Sequence, residues 1–133
     1  MEQVTLPGES AMNSTKTSQN NVRILVVDHN KVFAGFVKET LEAYVKDAEI
    51  DIAVNVWELR RKLEKNNYRL IIADLSVALD GLELGIEFDK LSTPVYLWSC
   101  GNTSAKIEKT IGYQKPTSLE DLHSVIPNLI AQF

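Results

Sequence analysis

Two aspartates, a serine and a lysine end four short apolar segments of this sequence: Asp28, Asp74, Ser99 and Lys115. If the segments are neighbouring parallel strands, these side chains meet at one edge of a sheet. Carboxylates crowded together repel each other unless a cation lies between them, and their oxygens suit Mg²⁺. A lysine can offset phosphoryl charge and a serine hydroxyl can donate a hydrogen bond to it. The pattern predicts phosphoryl chemistry with a hard cation.

Residue patterns typical of hydrolytic triads, zinc sites or nucleotide-binding loops are absent from this sequence. The chain of 133 residues has two histidines, one cysteine and a formal net charge of −4. It shows no serine triad, no zinc-ligand cluster and no Walker A loop. The acidic balance predicts no binding to nucleic acid or to an anionic membrane. No apolar run approaches the roughly eighteen residues of a spanning helix, and no secretory signal is evident. We therefore expect a cytoplasmic protein.

Five apolar segments alternate with stretches of helical periodicity along the chain. The predicted strands cover residues 23–27, 50–54, 70–73, 94–98 and 111–114. The predicted helices cover residues 33–45, 56–63, 82–90, 103–110 and 119–130. Strict alternation with apolar strands predicts an α/β fold, with a parallel sheet covered by helices on both faces.

Local signals give the finer expectations. Residues 1–21 are poor in apolar side chains and are interpreted as a flexible N-terminal tail, which leaves residues 22–133 as one domain. Asp80-Gly81 suggests a loop before the third helix. The segment from Thr117 to Glu120 has the spacing of a capping box at the last helix. Pro127 should kink or shorten that helix.

Taken in order, these motifs resemble the response-regulator receiver family over about residues 22–133. The resemblance is carried by Val26-Val27-Asp28, Ile72-Ala73-Asp74, Asp80-Gly81-Leu82-Glu83-Leu84, the strand ending in Ser99, and Lys115-Pro116. It implies a flavodoxin-like, three-layer (βα)5 sandwich whose parallel five-stranded sheet has the order 2-1-3-4-5. It also implies transfer of a phosphoryl group from a histidine kinase to an aspartate.

The resemblance assigns a role to each matching residue. Asp74 would be the phosphoacceptor, Ser99 the switch hydroxyl, and Lys115 the contact to the phosphoryl group. Asp28, Asp74 and the backbone carbonyl of Ser76 would bind Mg²⁺. Phosphotransfer would be self-catalysed, so we do not expect an enzyme that turns over a free metabolite. The implied partners are a histidine kinase or phosphotransfer protein and a downstream protein, with self-association as a homodimer left open.

The chain also departs from the family pattern. The second acid that usually follows the first strand is His29, a poor partner for Mg²⁺ but a ligand for softer metals. We therefore expect Mg²⁺ to bind weakly and treat His29 as a doubtful ligand. The segment from Ser99 to Lys115 is several residues shorter than usual, and Gly112 or Tyr113 occupies the region of the switch aromatic.

Two functions follow from these observations. In the first, the chain is a receiver of a two-component phosphorelay that signals through protein contacts. In the second, it is a degenerate pseudo-receiver that binds proteins independently of phosphorylation. Asp74, Ser99 and Lys115 favour the first, and His29 favours the second. A flavodoxin-like cofactor binder is disfavoured because no Gly-, Ser- or Thr-rich phosphate loop follows the first strand.

Overall fold

A five-stranded parallel sheet forms the centre of the molecule. The computed structural model describes residues 22–99, 111–116 and 118–131. Its strands are β1 (Arg23–Val27), β2 (Glu49–Ala53), β3 (Leu70–Asp74), β4 (Val95–Ser99) and β5 (Ile111–Gln114). They pair in parallel in the order 2-1-3-4-5. The predicted α/β class and strand order are confirmed.

Helices cover both faces of this sheet. They are α1 (Lys31–Tyr44), α2 (Val56–Lys65), α3 (Leu75–Glu83) and α4 (Leu119–Ile130), with a 3₁₀ turn at Phe88–Lys90. None of the helices in the described ranges has the length and apolar character needed to cross a bilayer. The predicted tail over residues 1–21 and the predicted helix over residues 103–110 lie outside the described residues.

Alternating side chains on the strands divide the core into two clusters. Leu25 and Val27 of β1 belong to the cluster that contains Leu59 of α2. Ile24 and Val26 belong to the opposite cluster, with core residues of α1 and α4. All five residues of β3 are buried. Because both faces of the sheet are apolar and covered, the predicted three-layer arrangement is confirmed.

The third helix begins earlier than the sequence predicts. α3 starts at Leu75, directly after β3, and the expected loop at Asp80-Gly81 is helical. The prediction was wrong because Asp and Gly are also turn residues. Here Gly81 serves close packing: a Cβ at this position would lie 3.1 Å from Cζ of Phe88. The Phe88 ring therefore packs directly against the α-carbon of Gly81 and crowds any side chain placed there.

The last helix has the predicted bounds, but its cap and the effect of its proline differ from the prediction. Its N-cap is Ser118, whose hydroxyl accepts the N–H of Asp121 at 3.1 Å, one residue later than the capping box predicted from sequence begins. The overlapping spacing of Thr117–Glu120 and Ser118–Asp121 makes the two caps indistinguishable in sequence. Pro127 does not shorten the helix, which continues to Ile130.

A polar network fixes the second strand at the edge of the sheet. Oδ2 of Asp51 lies 3.0 Å from Nη1 of Arg23 and accepts the hydroxyl of Tyr68 at 2.7 Å. Burial alone would raise the pKa of Asp51, but the Tyr68 hydroxyl and the Arg23 guanidinium outweigh it and hold that pKa below its usual value. A carboxyl with a depressed folded pKa stabilises the protein above its unfolded pKa of about 3.9. That contribution is lost as the pH falls through the folded value.

We predict that Tyr68→Phe lowers the free energy of unfolding by about 1–2 kcal/mol at neutral pH, because it removes a hydrogen bond to a charged acceptor. The difference from the parent should shrink at an acid pH below the lowered folded pKa of Asp51, where the carboxyl is protonated in both states. Urea unfolding at the two pH values checks this. Tyr44→Phe is the matched control, since its hydroxyl meets His123 at an exposed position. An equal loss at both pH values would contradict the prediction.

Candidate functional site

Three of the predicted site residues converge at the carboxyl edge of the sheet. The N–H of Asp28 donates to the carbonyl of Ala53 at 3.0 Å and extends the β1–β2 ladder by one residue. Asp74 is the last residue of β3. The N–H of Lys115 donates to the carbonyl of Ser99 at 2.9 Å, which prolongs the β4–β5 pair. The sheet itself therefore fixes the backbone of each residue.

The lysine ammonium joins the two carboxylates. Nζ of Lys115 lies 2.7 Å from Oδ2 of Asp28 and 3.3 Å from Oδ1 of Asp74. The three residues are buried, with exposed fractions of 8%, 0% and 6%, respectively. Burial alone would lower the pKa of Lys115, but Asp28 and Asp74 outweigh it and raise that pKa. The ammonium is thus held in its charged form by its two partners.

Each carboxylate oxygen of this pocket has a neighbour among the described residues. Oδ1 of Asp28 accepts the N–H of Asn30 at 2.8 Å, and Oδ2 of Asp74 accepts the hydroxyl of Ser76 in a short hydrogen bond. Oδ2 of Asp28 is different, because it accepts no aligned hydrogen bond although the Lys115 ammonium lies beside it. We treat that contact as an ion pair, since the attraction between opposite charges needs no particular angle.

His29 lies beside both carboxylates without being buried. Its Nδ1 is 3.7 Å from Oδ2 of Asp74 and 4.0 Å from Oδ1 of Asp28, and its side chain is 67% exposed. The imidazole therefore occupies the mouth of the pocket. Neither separation is a direct hydrogen bond.

The two predicted serines are placed differently. Ser99 closes β4, and its carbonyl accepts the Lys115 N–H. Ser76 lies in the first turn of α3, where a helical carbonyl accepts the N–H four residues later. The hydroxyl of Ser76, and not its carbonyl, is the oxygen that the structure places at Asp74. The predicted roles of Ser99 in switching and of the Ser76 carbonyl in metal binding stay predictions.

Sequence reasoning missed two further neighbours of the pocket. Asn30 donates its N–H to Asp28 and caps α1, accepting the N–H of Phe33 at 3.1 Å. The Phe33 ring centroid lies 4.5 Å from Nζ of Lys115. Asn at an N-cap is a recognisable signal. An aromatic residue in an amphipathic helix carries no sequence signal that distinguishes such a contact from ordinary core packing.

The donor set fits Mg²⁺ only in part. Two carboxylates supply hard oxygen ligands, and the poorly satisfied Oδ2 of Asp28 is oriented into the pocket. However, the Lys115 ammonium already neutralises part of their charge, and the third neighbour is an imidazole. In the described ranges, no group of three or more His, Cys, Asp or Glu residues is arranged to hold a metal ion. These observations fit a weak site and not a tight one.

Comparison with known proteins identifies the fold. No protein-family model matches the chain, and no curated protein sequence matches it. Among solved structures, chemotaxis response regulator CheY4 of Vibrio cholerae is 18% identical, with 81% of this chain and 98% of that chain covered and a TM-score of 0.64. The signal receiver domain of a DNA-binding response regulator from Colwellia psychrerythraea is 21% identical, with coverage of 84% and 99% and a TM-score of 0.65.

A third structure agrees with these two. The receiver domain of a Francisella response regulator is 25% identical, with 84% of this chain and 98% of that chain covered and a TM-score of 0.60. This chain therefore has the CheY-like receiver fold of response regulators. At such low identity the likeness establishes the fold, and the chemistry has to be argued from the pocket.

We predict that Lys115→Met lowers the free energy of unfolding, because it removes the ammonium that pairs with both Asp28 and Asp74. Loss of one partner of a buried ion pair costs about 3–5 kcal/mol, because the remaining charge is left without compensation. Urea unfolding at neutral pH measures the loss. Adding Asp28→Asn to the variant should recover part of it.

Lys90→Met is the matched control for this substitution. Lys90 pairs with Glu87 on the surface, where such a pair contributes about 0–1 kcal/mol. Because the pKa of Lys115 is raised, its contribution is fully present below the unfolded pKa of about 10.4 and is lost only as the pH rises through the folded value. Equal effects of the Lys90 and Lys115 substitutions would contradict this account of the pocket.

Proposed function

We propose that the chain is a phosphorylation-dependent receiver of a two-component phosphorelay and accepts a phosphoryl group on Asp74. The observation that carries the proposal is the Lys115 ammonium, which lies between Asp28 and Asp74 at the carboxyl edge of a receiver-type sheet. In open α/β sheets this edge is where ligands bind. The pocket therefore combines an acceptor carboxylate with a positive charge beside it.

The chemistry requires little beyond positioning and charge. As a carboxylate oxygen of Asp74 bonds to phosphorus, the phosphorus–nitrogen bond of a phosphohistidine donor breaks, and its electron pair returns to the imidazole. Lys115 lies close enough to Asp74 for its ammonium to offset the charge on the transferred oxygens. Phosphoryl transfer of this kind is self-catalysed, and the chain acts as a substrate that positions its own acceptor.

Mg²⁺ would supply additional positive charge for the phosphoryl oxygens when it is bound. Asp28 and Asp74 are its proposed ligands, with the Ser76 carbonyl as a third proposed by resemblance and His29 as a doubtful one. Lys115 competes with the metal for the same carboxylates, since both are cations. The proposed Mg²⁺ site is therefore weak.

The second candidate is a pseudo-receiver that binds proteins without phosphorylation. His29 favours it, because an imidazole beside both carboxylates replaces the acid that the resemblance leads one to expect. The existing partners of the four carboxylate oxygens also favour it, since incoming ligands must compete with them. In this case the pocket would be a structural element, and function would lie on the surface.

Both candidates act through other proteins in the cytoplasm. The proposed donor is a histidine kinase or phosphotransfer protein, and the output is contact with a downstream protein or a second copy of the chain. The net charge of −4 favours protein partners over nucleic acid and anionic membranes.

Intact-mass analysis after incubation with acetyl phosphate and Mg²⁺ separates the two candidates. We expect the parent to gain one phosphoryl group and Asp74→Asn to gain none. Asp80→Asn is the matched control, because Asp80 is an exposed carboxylate of α3 outside the pocket, and it should be phosphorylated like the parent. No mass gain in the parent, or an equal gain in all three proteins, would overturn phosphorylation at Asp74.

We predict that His29→Asp tightens Mg²⁺ binding about tenfold, equivalent to about 1.4 kcal/mol, because it adds a hard oxygen ligand beside both carboxylates. A calorimetric Mg²⁺ titration of the parent and variant measures the change. His123→Asp is the charge-matched control, since His123 lies on α4 and contacts Tyr44 at the other end of α1. Tight Mg²⁺ binding by the parent, or equal gains in both variants, would contradict the weak-site account.

A further inference from the structure

Lys115 has a third neighbour besides the two carboxylates. Its Nζ lies over the ring of Phe33, 4.5 Å from the ring centroid. The negative face of an aromatic ring attracts an ammonium, and the attraction is stronger where water is excluded. Because Lys115 is 8% exposed, the contact is of this stronger kind.

The position of the Phe33 ring is itself fixed. Its backbone N–H donates to the Asn30 side chain in the first turn of α1. Its ring meets Trp98 edge-on, with centroids 5.8 Å apart and planes at 66°. Trp98 is buried in β4 and pairs in register with Asp74. The ring is therefore held from the helix and from the strand beside the proposed acceptor.

The charges of the pocket suggest that the Phe33 ring attracts the Lys115 ammonium in addition to packing in the core. Two carboxylates attract the ammonium, and the position next to Asp28 holds His29 in place of a further acid. A pocket with one carboxylate fewer holds an ammonium less strongly. The Phe33 ring adds an attraction to those of the two carboxylates.

We propose that Phe33 is a positioning residue of the phosphoryl pocket and holds the Lys115 ammonium between Asp28 and Asp74. The proposal rests on the proposed function of Asp74. Nζ of Lys115 is already 3.3 Å from Oδ1 of Asp74, so a group bonded to that carboxylate meets the ammonium without drawing it off the ring. Phe33 thus prepares the lysine for the phosphoryl oxygens before they arrive.

Three substitutions on α1 test this. Phe33→Leu keeps an apolar side chain and removes the ring, whereas Phe33→Tyr keeps the ring and can place its hydroxyl in the groove that Phe33 lines. Phe36→Leu is the matched control, because Phe36 lines the same groove one turn further along the helix. NMR shifts of the Lys115 side-chain protons next to Nζ report the ring directly, since a ring current moves protons that lie over its face.

We expect upfield Lys115 shifts in the parent, Phe33→Tyr and Phe36→Leu, and their loss in Phe33→Leu. Beryllofluoride with Mg²⁺ then serves as the phosphoryl mimic. Phe33→Leu should bind it about fivefold more weakly than the parent, and the other two variants should stay within about twofold. Unchanged Lys115 shifts in Phe33→Leu would overturn the proposal, as would a loss of the shifts with unaltered beryllofluoride affinity.

Failure of the proposed function gives a different result. In that case the parent would not bind beryllofluoride at all, and the Lys115 side-chain shifts alone test the contact. Upfield shifts that are lost in Phe33→Leu and kept in Phe33→Tyr would support positioning by the ring even in a pocket that accepts no phosphoryl group. Shifts that do not change in Phe33→Leu would overturn it.

Discussion

The ion pairs between Lys115 and two buried carboxylates are the interactions on which the rest of this structure depends. Asp28 is fully buried and Asp74 nearly so. A carboxylate removed from water costs several kcal/mol unless a partner compensates for it, and two side by side also repel each other. Lys115 compensates for both, from a position just past the end of another strand. The three charged side chains lie at the ends of three different strands. These strand ends must therefore stay level for the ion pairs to form.

This requirement makes the register of the sheet a functional property. Val27 pairs with Ala73, so Asp28 is level with Asp74 at the end of the neighbouring strand. A slip of one residue would turn a carboxylate toward the other face of the sheet, and a slip of two would move it about 6–7 Å along the strand. Either change would separate the charges. The two apolar clusters prevent it, because β1, β3 and β4 contribute buried side chains to both faces and any slip would misplace these core residues as well.

The sequence predicted the parts of the molecule that depend on strong local patterns. Apolar runs ending in Asp28, Asp74 and Lys115 indicate the strands and the site together. Prediction failed where one residue type serves two purposes. Gly81 resembles a turn residue, yet it lies in a helix, where a Cβ would make a tight 3.1 Å contact with the Phe88 ring. The Phe33 contact could not be predicted, since its residue type and spacing are those of any core position on α1.

A histidine at position 29, where the family resemblance leads one to expect an acid, has opposite effects on metal binding and on stability. Two carboxylates and one ammonium give the pocket a net charge of −1, and a third carboxylate would make it −2. The greater charge would attract a divalent cation more strongly. It would also add repulsion of up to about 4 kcal/mol between charges 4 Å apart near a protein surface, reduced further at the mouth of the pocket by solvent. His29 is 67% exposed and avoids this repulsion without needing burial. With a net charge of −1 the pocket needs less neutralisation by a cation from solution than a more acidic one would, because Lys115, with the Phe33 ring beside it, already offsets one of the two carboxylates.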